Sequence, residues 1–161
     1  MGQNLCHNAR CAILFFEVTR RMIQDKRGLS NATDLTRITQ VVHDWSQEQP
    51  VHLCVLFGSQ ASGRTHAHSD VDLALWPTTP LPSATRLRWI CELESALAQD
   101  VSLVLVSADL DPVLGFEIVR QGCLIFEAQP GLWMRRRAQL WHAYNDSLPF
   151  RRFAQEVRRA T

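Results

Sequence analysis

Two short groups of residues in this sequence have types and spacing suited to chemistry on phosphate. Asp70 and Asp72 stand two apart in Asp70-Val71-Asp72-Leu73-Ala74-Leu75, and Gly58-Ser59 precede them with ten residues between. In a strand, residues i and i+2 face the same way, so the two carboxylates project together with Cα atoms roughly 6–7 Å apart. Neighbouring acids repel and raise each other's pKa, a cost that a hard cation between them removes. Mg²⁺ suits that position, because it takes oxygen ligands and completes its shell with substrate phosphates. Gly58 permits a sharp turn and close approach to a ligand. Ser59 suits the start of a helix whose free N–H groups point at an anion. Anion cradle and paired carboxylates together point to phosphoryl or nucleotidyl transfer.

The elements that must position these groups follow from apolar periodicity and punctuation. Residues 52–57 form an apolar run, read as a first strand central in a sheet. Residues 58–69 make a turn, short helix and loop, and 71–76 a second strand. The prolines of 77–82 mark a loop. Residues 83–98 read as a helix with Ser83 as N-cap and Leu87, Ile90, Leu93 and Leu97 on one face. A third strand spans 101–106, Asp111-Pro112 opens a helix through Arg120, and 123–126 is a short last strand. Upstream, 31–48 is an amphipathic helix with Leu35, Ile38, Val42 and Trp45 on its apolar face, Trp45 being expected against the first strand. Residues 11–26 are compatible with a further helix. The pattern is α/β (α+β).

The chain has 161 residues, enough for one domain with a sizeable core. At 46% hydrophobic and 20% charged it has an ordinary globular composition. It holds no apolar run near 18 residues, which argues against a membrane span, and 11–16 is too short for a signal sequence. Cys6, Cys11, Cys54, Cys91 and Cys123 lack paired spacing, so each is read as a small buried hydrophobe in a reducing compartment. Cys6, His7 and Cys11 want a fourth partner to make a metal site. These readings place the protein in the cytoplasm.

Net charge is +1, unevenly spread: residues 129–161 carry 7 arginines and 2 acids, net +5. There Trp133, Trp141, Tyr144 and Phe150 interleave with Arg135-Arg136-Arg137 and Arg151-Arg152. One reading is RNA binding by stacking and charge. Their helical recurrence favours instead a helix pair packed on the sheet or on a partner.

Gly58-Ser59, ten residues, then Asp70-Val71-Asp72 resembles the signature of the DNA polymerase β-like nucleotidyltransferase superfamily. The surrounding LFGSQASG and SDVDLAL resemble its minimal nucleotidyltransferase (MNT) branch, many members of which are antitoxins paired with HEPN-domain ribonuclease toxins. The resemblance implies a small mixed sheet of about four strands with helices mainly on one face. It divides the chain into residues 1–30 (an extension that Met22, as an alternative start, would remove in part), a nucleotidyltransferase domain over 31–128, and a basic, aromatic helical tail over 129–161. It implies that Gly58 and Ser59 hold the phosphates of ATP, helped by Arg64, and that Asp70 and Asp72 bind Mg²⁺ in a site of two-metal type. The implied reaction is transfer of AMP from ATP to a tyrosine of a HEPN toxin, which neutralises it.

Two departures stand out. Where relatives of this kind read Val-Asp-Leu-Val, supplying a third carboxylate, this chain reads Val101-Ser102-Leu103-Val104. Asp100, two residues earlier on the same face, is the substitute candidate. In the loop, arginines of the resembled motif are replaced by Gln60 and Ser62, and His66 and His68 precede the acids. The departures leave open a degenerate domain acting as a binding antitoxin or scaffold. A third reading is a nucleotidyltransferase for a small molecule such as an aminoglycoside, for which the chain has little length left over.

Overall fold

The computed structural model describes residues 29–62 and 69–153, with side chains described from Asp34 onward. The chain falls into two units, residues 1–37 and 38–161. Of the first, only the start of one helix is described; the packing below is that of the second. In chain order the elements are α1 (Leu29–Glu48), β1 (Val51–Phe57), α2 (Gly58–Ala61), β2 (Val71–Pro77), α3 (Ser83–Leu97), β3 (Val101–Leu105), α4 (Pro112–Gln121), β4 (Cys123–Glu127) and α5 (Leu132–Asp146). Residues 148–153 are again helical. The group Cys6, His7 and Cys11, Met22 and the helix expected within 11–26 lie outside the described residues.

The four strands form one mixed sheet in the order β3-β2-β1-β4. β1 runs antiparallel to both neighbours, while β2 and β3 are parallel. A parallel pair needs a crossover, and α3 supplies it. Leu53, Val55 and Phe57 share a face with Ala74 and Trp76, and Ile118, Val119 and Trp133 from α4 and α5 close a core over them. The alternate residues Cys54, Leu56, Leu73 and Leu75 are equally buried. Over that second face Ser46 of α1 lies against Cys54, and Arg86 of α3 reaches β3. Helices thus cover both faces of the expected four-stranded sheet, rather than mainly one. In β1 only His52 is exposed, as befits a strand buried on both sides.

Several local expectations change for physical reasons. Trp45 meets Trp89 edge to face at 5.4 Å, and its indole donates to Glu92 at 3.1 Å. It therefore ties α1 to α3, not to the first strand. In α3 the N-cap position falls to Pro82, with Thr85 N–H donating to its carbonyl at 2.9 Å, so Ser83 lies inside the helix and does not cap it. The buried stripe of α3 is Trp89, Leu93 and Leu97, spaced i, i+4, i+8; Leu87 points away and is 62% exposed. The large indole claims the sheet-facing position, which also leaves Cys91 exposed instead of buried. Cys54 does behave as a buried hydrophobe, and desolvation pushes its thiol up to about 12.

Two side chains of α3 serve the edge strand. Arg86 donates from Nε (3.2 Å) and Nη2 (2.8 Å) to the Leu103 carbonyl, and the Glu94 carboxylate accepts from Val101 N–H at 3.3 Å. Asp111 caps α4 as the Asp-Pro pair predicts, accepting from Val113 and Leu114 N–H at 2.8 and 3.2 Å. Glu127 does the same for α5, accepting from Gly131 and Trp133 N–H at 3.2 and 3.0 Å. Along α5, Trp133 enters the core while Tyr144 stacks on Phe116 of α4 at 4.1 Å. The Arg151 guanidinium covers the Tyr144 ring at 4.0 Å. No helix among the described residues is long and apolar enough to cross a membrane.

Candidate active site

The site forms where β1 ends. Phe57 is the last residue of the β1 ladder, paired with Asp72 on β2, and the chain turns at Gly58 with φ of +71°. Only glycine takes that left-handed conformation at little cost. A second reason is steric: a Cβ built on Gly58 would overlap the Asp72 carboxylate, lying against Oδ2 and 3.0 Å from Cγ. Glycine is needed here so that the second aspartate can lie directly against the turn.

α2 is a single turn. Phe57, in extended backbone, occupies its N-cap position with no side-chain cap, so Ser59 is the second residue of the turn and does not cap it. Ser62 holds the turn closed: its N–H donates to the Gly58 carbonyl at 3.2 Å and its hydroxyl to the Ser59 carbonyl at 3.1 Å. The Gln60 amide donates to the Ser69 carbonyl at 3.0 Å, pinning the residue before Asp70 to the turn. Gln60, read from sequence as a lost arginine, is thus a clamp. Arg64, His66 and His68 lie outside the described residues.

Asp72 is half-buried and stands between Phe57 on β1 and Ser102 on β3, directly opposite each. Desolvation holds its carboxyl above the ordinary carboxylate range, and the negative charge of Asp70 adds to this; a hydrogen bond from the Ser102 hydroxyl opposes it. Asp70 is exposed, just before β2. Asp100 is exposed just before β3, with its carbonyl accepting Val71 N–H at 2.9 Å. The rungs Val71–Val101 and Asp72–Ser102 fix the register, so Ser102 occupies the position beside Asp72 and Asp100 lies one strand repeat away. No basic side chain among the described residues forms an ion pair with Asp70, Asp72 or Asp100.

The structure thus brings together Gly58, Ser59, Asp70 and Asp72 and sets Asp100 at the same end of the sheet. Two hard carboxylates side by side fit a divalent cation, with open coordination positions left to a ligand carrying oxygens. Among the described residues, no group of three or more His, Cys, Asp or Glu side chains is placed to hold a metal on its own. Neither the pairing of Ser102 with Asp72 across the sheet nor the hydrogen bond from Gln60 to Ser69 is visible in the sequence.

Residues 39–130, more than half of the chain, match the family described as polymerase beta, nucleotidyltransferase. Among solved structures, the chain is similar to one in a toxin–antitoxin complex with AMP-PNP: 25% identical, TM-score 0.51, covering 78% of this chain and 93% of that one. It is also similar to a chain in the complex of tri-AMPylated Shewanella oneidensis HEPN toxin with MNT antitoxin: 22% identical, TM-score 0.58, covering 79% and 98%. A chain in a variant MntA–HpeT toxin–antitoxin complex is 24% identical with TM-score 0.51, covering 78% and 93%. No curated protein matches the sequence. A sequence match across the sheet and both aspartates, on a chain that folds as those structures do, settles the family: this chain belongs to the polymerase beta nucleotidyltransferases.

Proposed function

We propose that this protein is a cytoplasmic antitoxin of MNT type that transfers AMP from ATP to a tyrosine of a partner HEPN ribonuclease toxin and so neutralises it. The observation that carries the reading is the Asp72 carboxylate lying against Gly58, with Asp70 beside it, in a member of this family. The likeness to a chain of a toxin–antitoxin complex with AMP-PNP supports the nucleotide and the partner class.

In this reading Gly58 and Ser59, with Arg64, receive the triphosphate, and Gln60 keeps the turn in place. Asp70 and Asp72 hold Mg²⁺, which supplies charge neutralisation at the phosphates. The tyrosine oxygen attacks the α-phosphorus, the bond from that phosphorus to the bridging oxygen breaks, and pyrophosphate leaves. The phenolic proton passes to a carboxylate, for which Asp100, exposed at the same end of the sheet, is the candidate.

Ser102 opposite Asp72 favours a second reading, a domain that neutralises its toxin by binding alone. Incubation with α-labelled ATP, Mg²⁺ and the HEPN-type protein encoded alongside separates the two. Label on a tyrosine of the partner, lost with Asp70→Ala/Asp72→Ala, supports transfer. Neutralisation without label establishes the binding reading instead.

A further inference from the structure

Resting on that reading of the nucleotide site, we propose that Ser102 makes cation binding here depend on the nucleotide, so that one divalent cation is held jointly by Asp70, Asp72 and the triphosphate, and none is held by the protein alone. Ligand count and strand register point this way. Mg²⁺ takes six oxygens in a near-ideal octahedron at about 2.0–2.1 Å and gives up water reluctantly. The position on β3 that faces Asp72 is filled by a neutral hydroxyl. That hydroxyl faces Asp72 across the β2–β3 pair and offers a neutral oxygen where a carboxylate would bring a negative one.

Asp100 does not take over the position. The Val71 N–H to Asp100 carbonyl bond and the Val71–Val101 rung fix it before the strand, roughly 6–7 Å along the chain from Ser102. No third metal-ligating side chain converges among the described residues. The described residues therefore offer two carboxylates to a cation that prefers more, and among them a second cation would have no carboxylate of its own. Triphosphate oxygens supply the missing negative ligands. By linkage, the factor by which nucleotide tightens cation binding equals the factor by which the cation tightens nucleotide binding.

The test uses Mn²⁺ as the cation, read by electron paramagnetic resonance, and α,β-methylene-ATP, whose α–β linkage resists cleavage, as the nucleotide. A protein-free mixture corrects for Mn²⁺ bound by the analogue itself. The expected result for the wild-type chain is no saturation by Mn²⁺ alone below about millimolar. With the analogue, one Mn²⁺ binds per chain, at least about tenfold tighter. Ser102→Asp restores a third carboxylate and binds Mn²⁺ without nucleotide, at least about tenfold tighter than wild type, while Ser102→Ala keeps the nucleotide dependence. Tight binding of Mn²⁺ by the wild-type chain alone, or two Mn²⁺ per chain with the analogue, overturns the proposal. The wild-type comparison stands even if Ser102→Asp misfolds. If analogue binds to neither wild type nor Ser102→Ala, with or without Mn²⁺, the nucleotide-site reading itself falls and takes this inference with it. Nucleotide bound with metal-independent affinity sinks the inference alone.

Discussion

Gly58→Ala is the substitution whose cost can be worked out most directly. Two effects add. At φ of +71° an alanine is in the left-handed region, at about 1–2 kcal/mol. The new Cβ also overlaps the Asp72 carboxylate, which must move away, at about 1–3 kcal/mol by analogy with overpacking. Gly131→Ala separates the two. Its φ is +79°, but a Cβ there meets the flexible tip of Arg135 at 3.7 Å, an ordinary contact, so only the backbone cost applies. Urea denaturation should show Gly131→Ala destabilised by about 1–2 kcal/mol and Gly58→Ala by about 2–5 kcal/mol, within what a domain stable by about 5–15 kcal/mol survives. AMP transfer should fall by at least about a hundredfold in Gly58→Ala, because Asp72 is displaced, and remain unchanged in Gly131→Ala. Equal destabilisation of the two variants, with transfer intact in both, would refute the placement of Asp72 against the turn.

Other outcomes follow from single contacts. Asp72→Asn removes a carboxylate held above its ordinary range mainly by burial. In the wild type that group favours folding only while protonated, a contribution lost as pH rises through its folded pKa. Asp72→Asn should therefore raise the urea midpoint at pH 7, abolish transfer, and lose its stability advantage in acid, where the wild-type carboxyl is neutral. Glu127→Ala leaves Gly131 and Trp133 N–H without their acceptor and should lower stability by about 1–2 kcal/mol with an unchanged urea slope. With Ellman's reagent, native protein should label at exposed Cys91, while Cys54, its thiol raised to about 12, labels only on unfolding. In the alkaline range stability should fall as pH rises from about 9, where a free thiol ionises, toward about 12, since the unfolded thiol ionises first.

The parts of this fold that can be read from sequence are those whose signal is local. The β1 run, the Asp111-Pro112 cap and the Gly58-Ser59 turn each sit within a few residues, and the structure places them where they are expected. Periodicity failed on α3, because Leu87 and Leu93 fit an apolar face as well as Trp89 does. Size decided, and the indole took the buried position. Burial of both sheet faces is a tertiary outcome, though the near absence of polar residues from 53–57 recorded it. In the site, residue types identified the carboxylates and the turn. What Ser102 does depends on β3 lying parallel to β2 in one register, a relation between residues thirty apart that no local pattern carries. The same holds for Gln60, whose role appears only when the chain returns past Ser69.

The two side chains that α3 lends to β3 have a consequence for assembly. Outward-facing N–H and C=O groups on an edge strand are a template for another chain, by strand addition or by aggregation. On β3 the Leu103 carbonyl is taken twice by Arg86 and the Val101 N–H by Glu94. An incoming strand would have to displace a guanidinium and a carboxylate before making its first rung. This stretch of the edge is thereby shielded from sheet extension, and a strand added on the β3 side must first displace side chains of α3.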